Sequence, residues 1–175
     1  EALTKGSWEF NAATRLYTSG DWAGNFNLTG TLKKKFGDHG TSLQAGFSQQ
    51  LGTAPYSLTN YKNMFAYKTW SFDKESITEV HGNIDLPRVK LSAGARVYTI
   101  ANFIYLADNG QPSQYTIPFT VPQAWLRKVF KLGGFYLDNE LVYQVTSGNA
   151  PINVPLVMGR HQLSYEHGIF KNALI

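Results

Sequence analysis

Cysteine is absent from the 175 residues, which excludes disulfides and thiolate metal sites. No apolar run approaches the roughly eighteen residues of a membrane-crossing helix. No helical periodicity holds over about twelve residues either. Charge is scarce: Asp, Glu, Lys and Arg together make 16% of the chain, against about a quarter in ordinary globular domains. The excess of positive charge is only +4. The lysines are scattered apart from Lys33-Lys34-Lys35, which marks a strand end beside a turn rather than a nucleic-acid patch. Nucleic acid is therefore not an expected partner. Aromatic residues (14%), 16 glycines and many uncharged polar residues take the place of the missing charges.

That mixture is ordered with period two. From Ala124 to Gln144, two segments flank Gly133-Gly134, a pair suited to the positive φ of a tight hairpin. On the second segment Phe135, Leu137, Leu141, Tyr143 and Val145 alternate with Tyr136, Asp138, Glu140, Val142 and Gln144. A strand of about ten residues exceeds the common length of five or six and matches the nine to eleven tilted residues that cross a bilayer within a barrel.

The same pattern recurs along the chain. Trp8, Phe10, Ala12 and Leu16 oppose Glu9, Asn11 and Arg15. Trp22, Gly24, Phe26, Leu28, Gly30 and Leu32 oppose Asn25, Asn27, Thr29, Thr31 and Lys33. Leu43, Ala45, Phe47 and Leu51 oppose Gln44, Gly46, Ser48 and Gln50. A fourth strand is expected from about Tyr61 to Phe72. A fifth carries Val80, Gly82, Ile84 and Leu86, and a sixth runs from Val89 through Val97 and on toward Phe103 and Tyr105. The last covers Val157 to Ile169. The expected fold is all-β: an antiparallel meander of about nine to ten strands forming a transmembrane outer-membrane β-barrel. Residues 1–175 form one segment of a larger barrel in this reading. Glu1-Ala2-Leu3-Thr4-Lys5 lacks the apolar stretch of a signal peptide, and Leu174-Ile175 reads as the start of a further strand after a turn at Lys171-Asn172.

Parity separates two rims. Turns at Pro87-Arg88, Gly133-Gly134 and Lys171-Asn172 fall at one end, and loops at 107–118 and 147–155 at the other. This is the outer-membrane arrangement, with the short turns toward the periplasm. Two connections break it: 52–60 is long on the short side and 73–75 short on the long side.

A soluble barrel or sandwich that binds a ligand also alternates. Aromatics near strand ends favour the membrane reading, as an interfacial girdle of Trp8, Trp22, Phe72, Phe130, Phe135 and Tyr165. So do small residues such as Gly24, Gly30, Ala93 and Ala95 at mid-face, where a soluble core needs volume. The wetter faces would then line a lumen. Their acids are Glu9, Glu79, Asp85, Asp138, Glu140 and Glu166; their bases are Arg15, Lys33, Lys90, Arg96, Arg127 and Arg160. The signs balance, as suits a hydrated wall for passive diffusion of small polar solutes.

Catalytic, metal and cofactor motifs are not legible. His161 and His167 lack the spacing of a zinc helix, no GxSxG elbow occurs, and Gly133-Gly134 is not followed by a phosphate-binding helix. Asp138 and Glu140 stand roughly 7 Å apart on one strand face, which lumen alternation explains without glycosidase chemistry. Trp125 beside Arg127 either stacks a sugar or fills the wall. No enzyme and no cofactor is expected.

Several pieces resemble a porin family of Bacteroidetes outer membranes: Ile84-Asp85-Leu86-Pro87-Arg88-Val89, Ala101-Asn102-Phe103-Ile104-Tyr105, the stretch from Phe130 to Gln144, and Tyr165-Glu166-His167 with Phe170-Lys171-Asn172-Ala173-Leu174. The resemblance runs from about Asn63 onward. It implies the bacterial outer membrane, lipid as a partner, a section of a longer barrel, and no catalytic residues to carry over. Two further readings remain: a structural or partner-binding barrel, plugged or serving secretion or export with protein partners, and the soluble ligand-binding barrel. A plug or inward loop is expected to lie outside these residues.

Overall fold

The computed structural model describes residues 7–37, 40–62 and 67–167. In chain order the strands are β1 (Trp8–Leu16), β2 (Phe26–Phe36), β3 (Thr41–Gly52), β4 (Asn60–Lys62), β5 (Tyr67–Thr69), β6 (Glu75–Leu86), β7 (Leu91–Ala101), β8 (Phe103–Leu106), β9 (Pro112–Tyr115), β10 (Phe119–Leu132), β11 (Phe135–Gln144) and β12 (Val157–Tyr165). One eight-stranded sheet has the order β1-β2-β3-β6-β7-β10-β11-β12, every neighbour antiparallel. The pairs β4-β5 and β8-β9 form separate two-stranded ribbons. No helix among the described residues is long and apolar enough to cross a membrane. The all-β meander is as expected, with eight strands in its sheet.

One expected strand, and the expected extension of another, are not part of that sheet. The segment from Tyr61 to Phe72 belongs to one long connection, 53–74, whose described parts hold a helical turn at Tyr56–Thr59 and the ribbon β4-β5. Phe65 and its neighbours 63–66 lie outside the described residues, as do Asp38, His39, Ile169 and the turn and strand expected from Phe170 to Ile175. The run through Phe103 and Tyr105 does not prolong β7. Asn102 adopts a left-handed conformation, φ 58°, a region that Asn tolerates better than most residues, and this turns the chain into β8.

With those changes the parity conflict disappears. The short connections 37–40, 87–90 and 133–134 all lie at one rim, and the long ones 17–25, 53–74, 102–118 and 145–156 all lie at the other. Left-handed residues make the short turns possible: Gly37 (φ 58°), Gly40 (φ 71°), Lys90 (φ 49°) and Gly133 (φ 58°). Gly134 allows a close approach, since a Cβ there would meet the backbone oxygen of Glu166 at 2.5 Å. Among the described residues the sheet does not close, and β1 and β12 each pair on one side.

Candidate functional site

The register fixes which residues share a face, because partners directly opposite in an antiparallel pair point the same way. One face gathers Phe10, Leu32, Ala45, Gly82, Ala95, Ala124, Tyr143 and Val157 in a single row; it is mostly apolar, with an uncharged polar row of Gln49, Thr78, Thr99 and Thr120 toward the long-loop rim. The other gathers the polar residues. Their exposures are the reverse of a soluble protein's. Phe10 (71%) and Leu163 (69%) are open on the apolar face, while Ser42 (3%) and Gln144 (4%) are covered on the polar face. Side chains crowd on a concave face and splay on a convex one, so the polar face is the inner one.

Across its lower half runs a belt of alternating charge. Lys35, Ser42, Asp85, Ser92, Arg127, Glu140 and Arg160 are successive register partners from β2 to β12. Arg160 Nη2 lies 3.2 Å from Glu140 Oε2. Arg127 reaches one step down the wall and donates to both oxygens of Asp138, at 3.0 and 2.5 Å, the bidentate geometry that suits a planar guanidinium. Lys35 stands 3.8 Å from Glu9. Toward the rim, Lys90 and Lys131 lie over the Tyr136 ring at 4.9 and 4.8 Å.

Above the belt, glycines make room for rings from the next strand. The His81 imidazole occupies the space a Cβ on Gly46 would need, and the Trp125 indole lies 2.7 Å from a Cβ built on Gly94. His81 Nδ1 sits 3.1 Å from Glu79 Oε1 without hydrogen-bonding geometry, and Arg96 Nε is also unpartnered. The Arg96 guanidinium donates instead through Nη1 to the Tyr98 hydroxyl at 3.3 Å. A hollow of about 430 Å³ opens between Trp125, Arg96, Arg127, Glu140 and Asp85. The wall is polar, cationic and anionic by turns, and its carboxylates Glu9, Asp138 and Glu140 each have a base within ion-pair distance, while Asp85 accepts from the Asn83 amide at 3.4 Å.

Near the long-loop rim the inner face changes character. Ile77, Ile100 and Phe119 are register partners, with Tyr98 and Val121 one step below. Ile100, Phe119 and Val121 form a buried cluster, and Phe103, Tyr115, Ala150 and Ile152 pack onto it from the connections 102–118 and 145–156. Phe103 and Tyr115 meet the Phe119 ring edge-on at 5.7 and 6.0 Å.

The apolar face carries two charged residues of the Lys, Arg, Asp and Glu kind among the described strands, Lys34 and Lys128. Both lie toward the short-turn rim. Lys34 sits over Trp8 and Phe36 at 4.8 and 5.0 Å, Lys128 over Phe130 at 5.7 Å, and Phe135 packs on Tyr165 at 4.7 Å.

A family model described as "Putative porin" matches residues 2–175. The chain belongs to that family. No curated protein and no solved structure matches it. The match begins far earlier than Asn63, so β1 to β3 are porin strands as well as the C-terminal two thirds.

Of the porin residues singled out for the wetter faces, Glu9, Arg15, Lys33, Glu79, Asp85, Arg96, Arg127, Asp138, Glu140 and Arg160 all lie on the polar face of the sheet. Lys90 does not lie on a strand; it is the left-handed residue of the β6-β7 turn, with its ammonium directed to the inner face over Tyr136. Glu166 follows β12, where its N–H bonds to Gly134 O at 2.8 Å. Among the aromatics, Trp8, Phe130, Phe135 and Tyr165 gather toward one rim on the apolar face. Trp22 and Phe72 do not: Trp22 lies in a 3-10 turn against Tyr17, and Phe72 in the 53–74 connection. Lys35, Lys131 and the apolar cluster were not anticipated. The signal for the cluster was available: Ile77, Ile100, Phe119 and Val121 are apolar on the mostly polar parity and gather at the loop ends of three adjacent strands. The inward packing also corrects the expectation that an inward loop lies outside these residues.

Proposed function

We propose that this porin forms part of the wall of an outer-membrane pore through which small polar solutes diffuse passively. The observation that carries the reading is the inverted sheet, apolar and exposed outside, polar and covered inside. An exposed apolar surface of that extent demands lipid, and the lysine-aromatic rim suits the headgroup level. The short-turn rim faces the periplasm in this reading. Among the described residues the edges of β1 and β12 present unpaired N–H and C=O groups, each costing several kcal/mol in hydrocarbon, so in this reading further strands pair with them and close a larger barrel. Cross-strand ion pairing leaves a wall with little net field, which favours water-filled diffusion without strong ion selectivity. It also occupies Asp138 and Glu140, the pair that otherwise imitates a hydrolase.

The test is planar-bilayer conductance of the full-length, detergent-purified protein. Steady ohmic steps with weak cation-over-anion preference are expected. A heat-modifiable barrel that never conducts would replace the pore with the structural or partner-binding role.

A further inference from the structure

We infer that the connection 102–118 is a fixed constriction, folded onto the inner face at the long-loop mouth, and that it sets the size limit of the passage. The inference rests on the pore reading and names the element that restricts it. Four apolar side chains are buried among the described residues: Ile100, Ile104, Phe119 and Val121. Three of them lie on the polar face, and the fourth is on the ribbon β8-β9 that covers it. Ile100, Phe119 and Val121 are buried on a face whose other apolar residues, such as Val142 and Met158, line an open hollow, because Phe103 and Tyr115 rest on them.

The ribbon is tied down on its other flank as well. Asn102 Nδ2 donates to Lys74 O at 3.1 Å. Gln114 donates to Asp73 O at 2.8 Å and accepts from the Asp73 N–H at 3.0 Å, and Lys68 Nζ donates to Gln111 Oε1 at 2.8 Å. Lys74 in turn donates to Ala23 O at 2.6 Å, linking 17–25 to the same network. On the opposite side Ser147 exchanges hydrogen bonds with the backbone of Thr120, both at 2.9 Å, which holds 145–156 and its Ile152 against the cluster. Apolar burial and polar ties on both flanks make this a packed part of the mouth rather than a swinging lid. Its anchors rest on a cluster drawn from three adjacent strands, Ile77 of β6, Ile100 of β7 and Phe119 and Val121 of β10, so it narrows the opening on that side.

The experiment replaces residues 103–115 of the full-length protein by a short Gly-Ser turn and measures unit conductance in KCl and the size of polyethylene glycol that enters the pore. A second variant, Phe103→Ala with Tyr115→Ala, keeps the ribbon but removes its anchors. Heat-modifiable migration reports that each barrel has folded. Conductance is expected to rise and the polymer cutoff to move to larger chains in the deletion, with the anchor variant showing noisy, intermediate steps. A deletion that conducts like the wild type with the same cutoff overturns the constriction and leaves the pore standing. A silent wild type with a conducting deletion supports the inference in its strongest form, as a closed mouth. Silence in both overturns it together with the pore. Packing is read separately: Tyr115→Cys resists a bulky maleimide while Asn109→Cys at the ribbon tip reacts, and ready labelling at 115 overturns the inference even in a conducting protein.

Discussion

Arg127 shows most clearly how single side chains act on this wall. Its fork takes both oxygens of Asp138, yet about half of the arginine side chain faces solvent, so water competes for both partners and the pair adds little to stability. Its larger effect is on the local field. Arg127→Ala leaves Asp138 uncompensated and breaks the alternation of Asp85, Arg127, Glu140 and Arg160. The reversal potential in a KCl gradient is expected to shift toward cation preference, while the urea midpoint in lipid stays near that of the wild type. An unchanged reversal potential would mean that solutes do not pass this belt. The residue's facing was legible in the sequence because period two is a local property. Its place in the belt was not, because a belt is made of register partners as distant in sequence as Lys35 and Arg160. The rings over Gly46 and Gly94 were hidden for the same reason: each lies against a glycine on the neighbouring strand.

Elements were legible where alternation ran unbroken and misread where apolar content stood in for it. Tyr67 and Trp70 gave the 53–74 connection a strand-like composition without a consistent face, and two connections then fell on the wrong rims. That conflict was a sign of an extra strand. Phe103 and Tyr105 kept the parity of β7, so nothing but the conformation of Asn102 separates them from it. At this scale the loops and the sheet are joined by one small core, and its loss should be felt out of proportion. Phe119 is nearly inaccessible (4%), and Phe119→Ala should cost about 3–5 kcal/mol by leaving a cavity. Leu141→Ala on the apolar face should cost less, because lipid chains fill the space that protein atoms cannot. Equilibrium unfolding in urea from lipid vesicles compares the two. Equal losses would mean that the Phe119 cluster is not a packed core.

The whole molecule is a sheet turned inside out relative to a soluble protein. Its stability in water would be poor for the same reason that it suits a bilayer: away from its two edges the backbone bonds are satisfied between strands, and the apolar band suits hydrocarbon rather than another protein layer. The absence of cysteine from these 175 residues now becomes useful, since each introduced thiol is the only one in this segment. Single cysteines placed along β11 in the bilayer-inserted, conducting protein test the arrangement directly. At 138, 140 and 142 a membrane-impermeant charged thiosulfonate is expected to react and to change the current. At 137, 141 and 143 it should leave both thiol and current untouched. Reactivity that ignores this alternation, or that favours the apolar positions, would contradict the account.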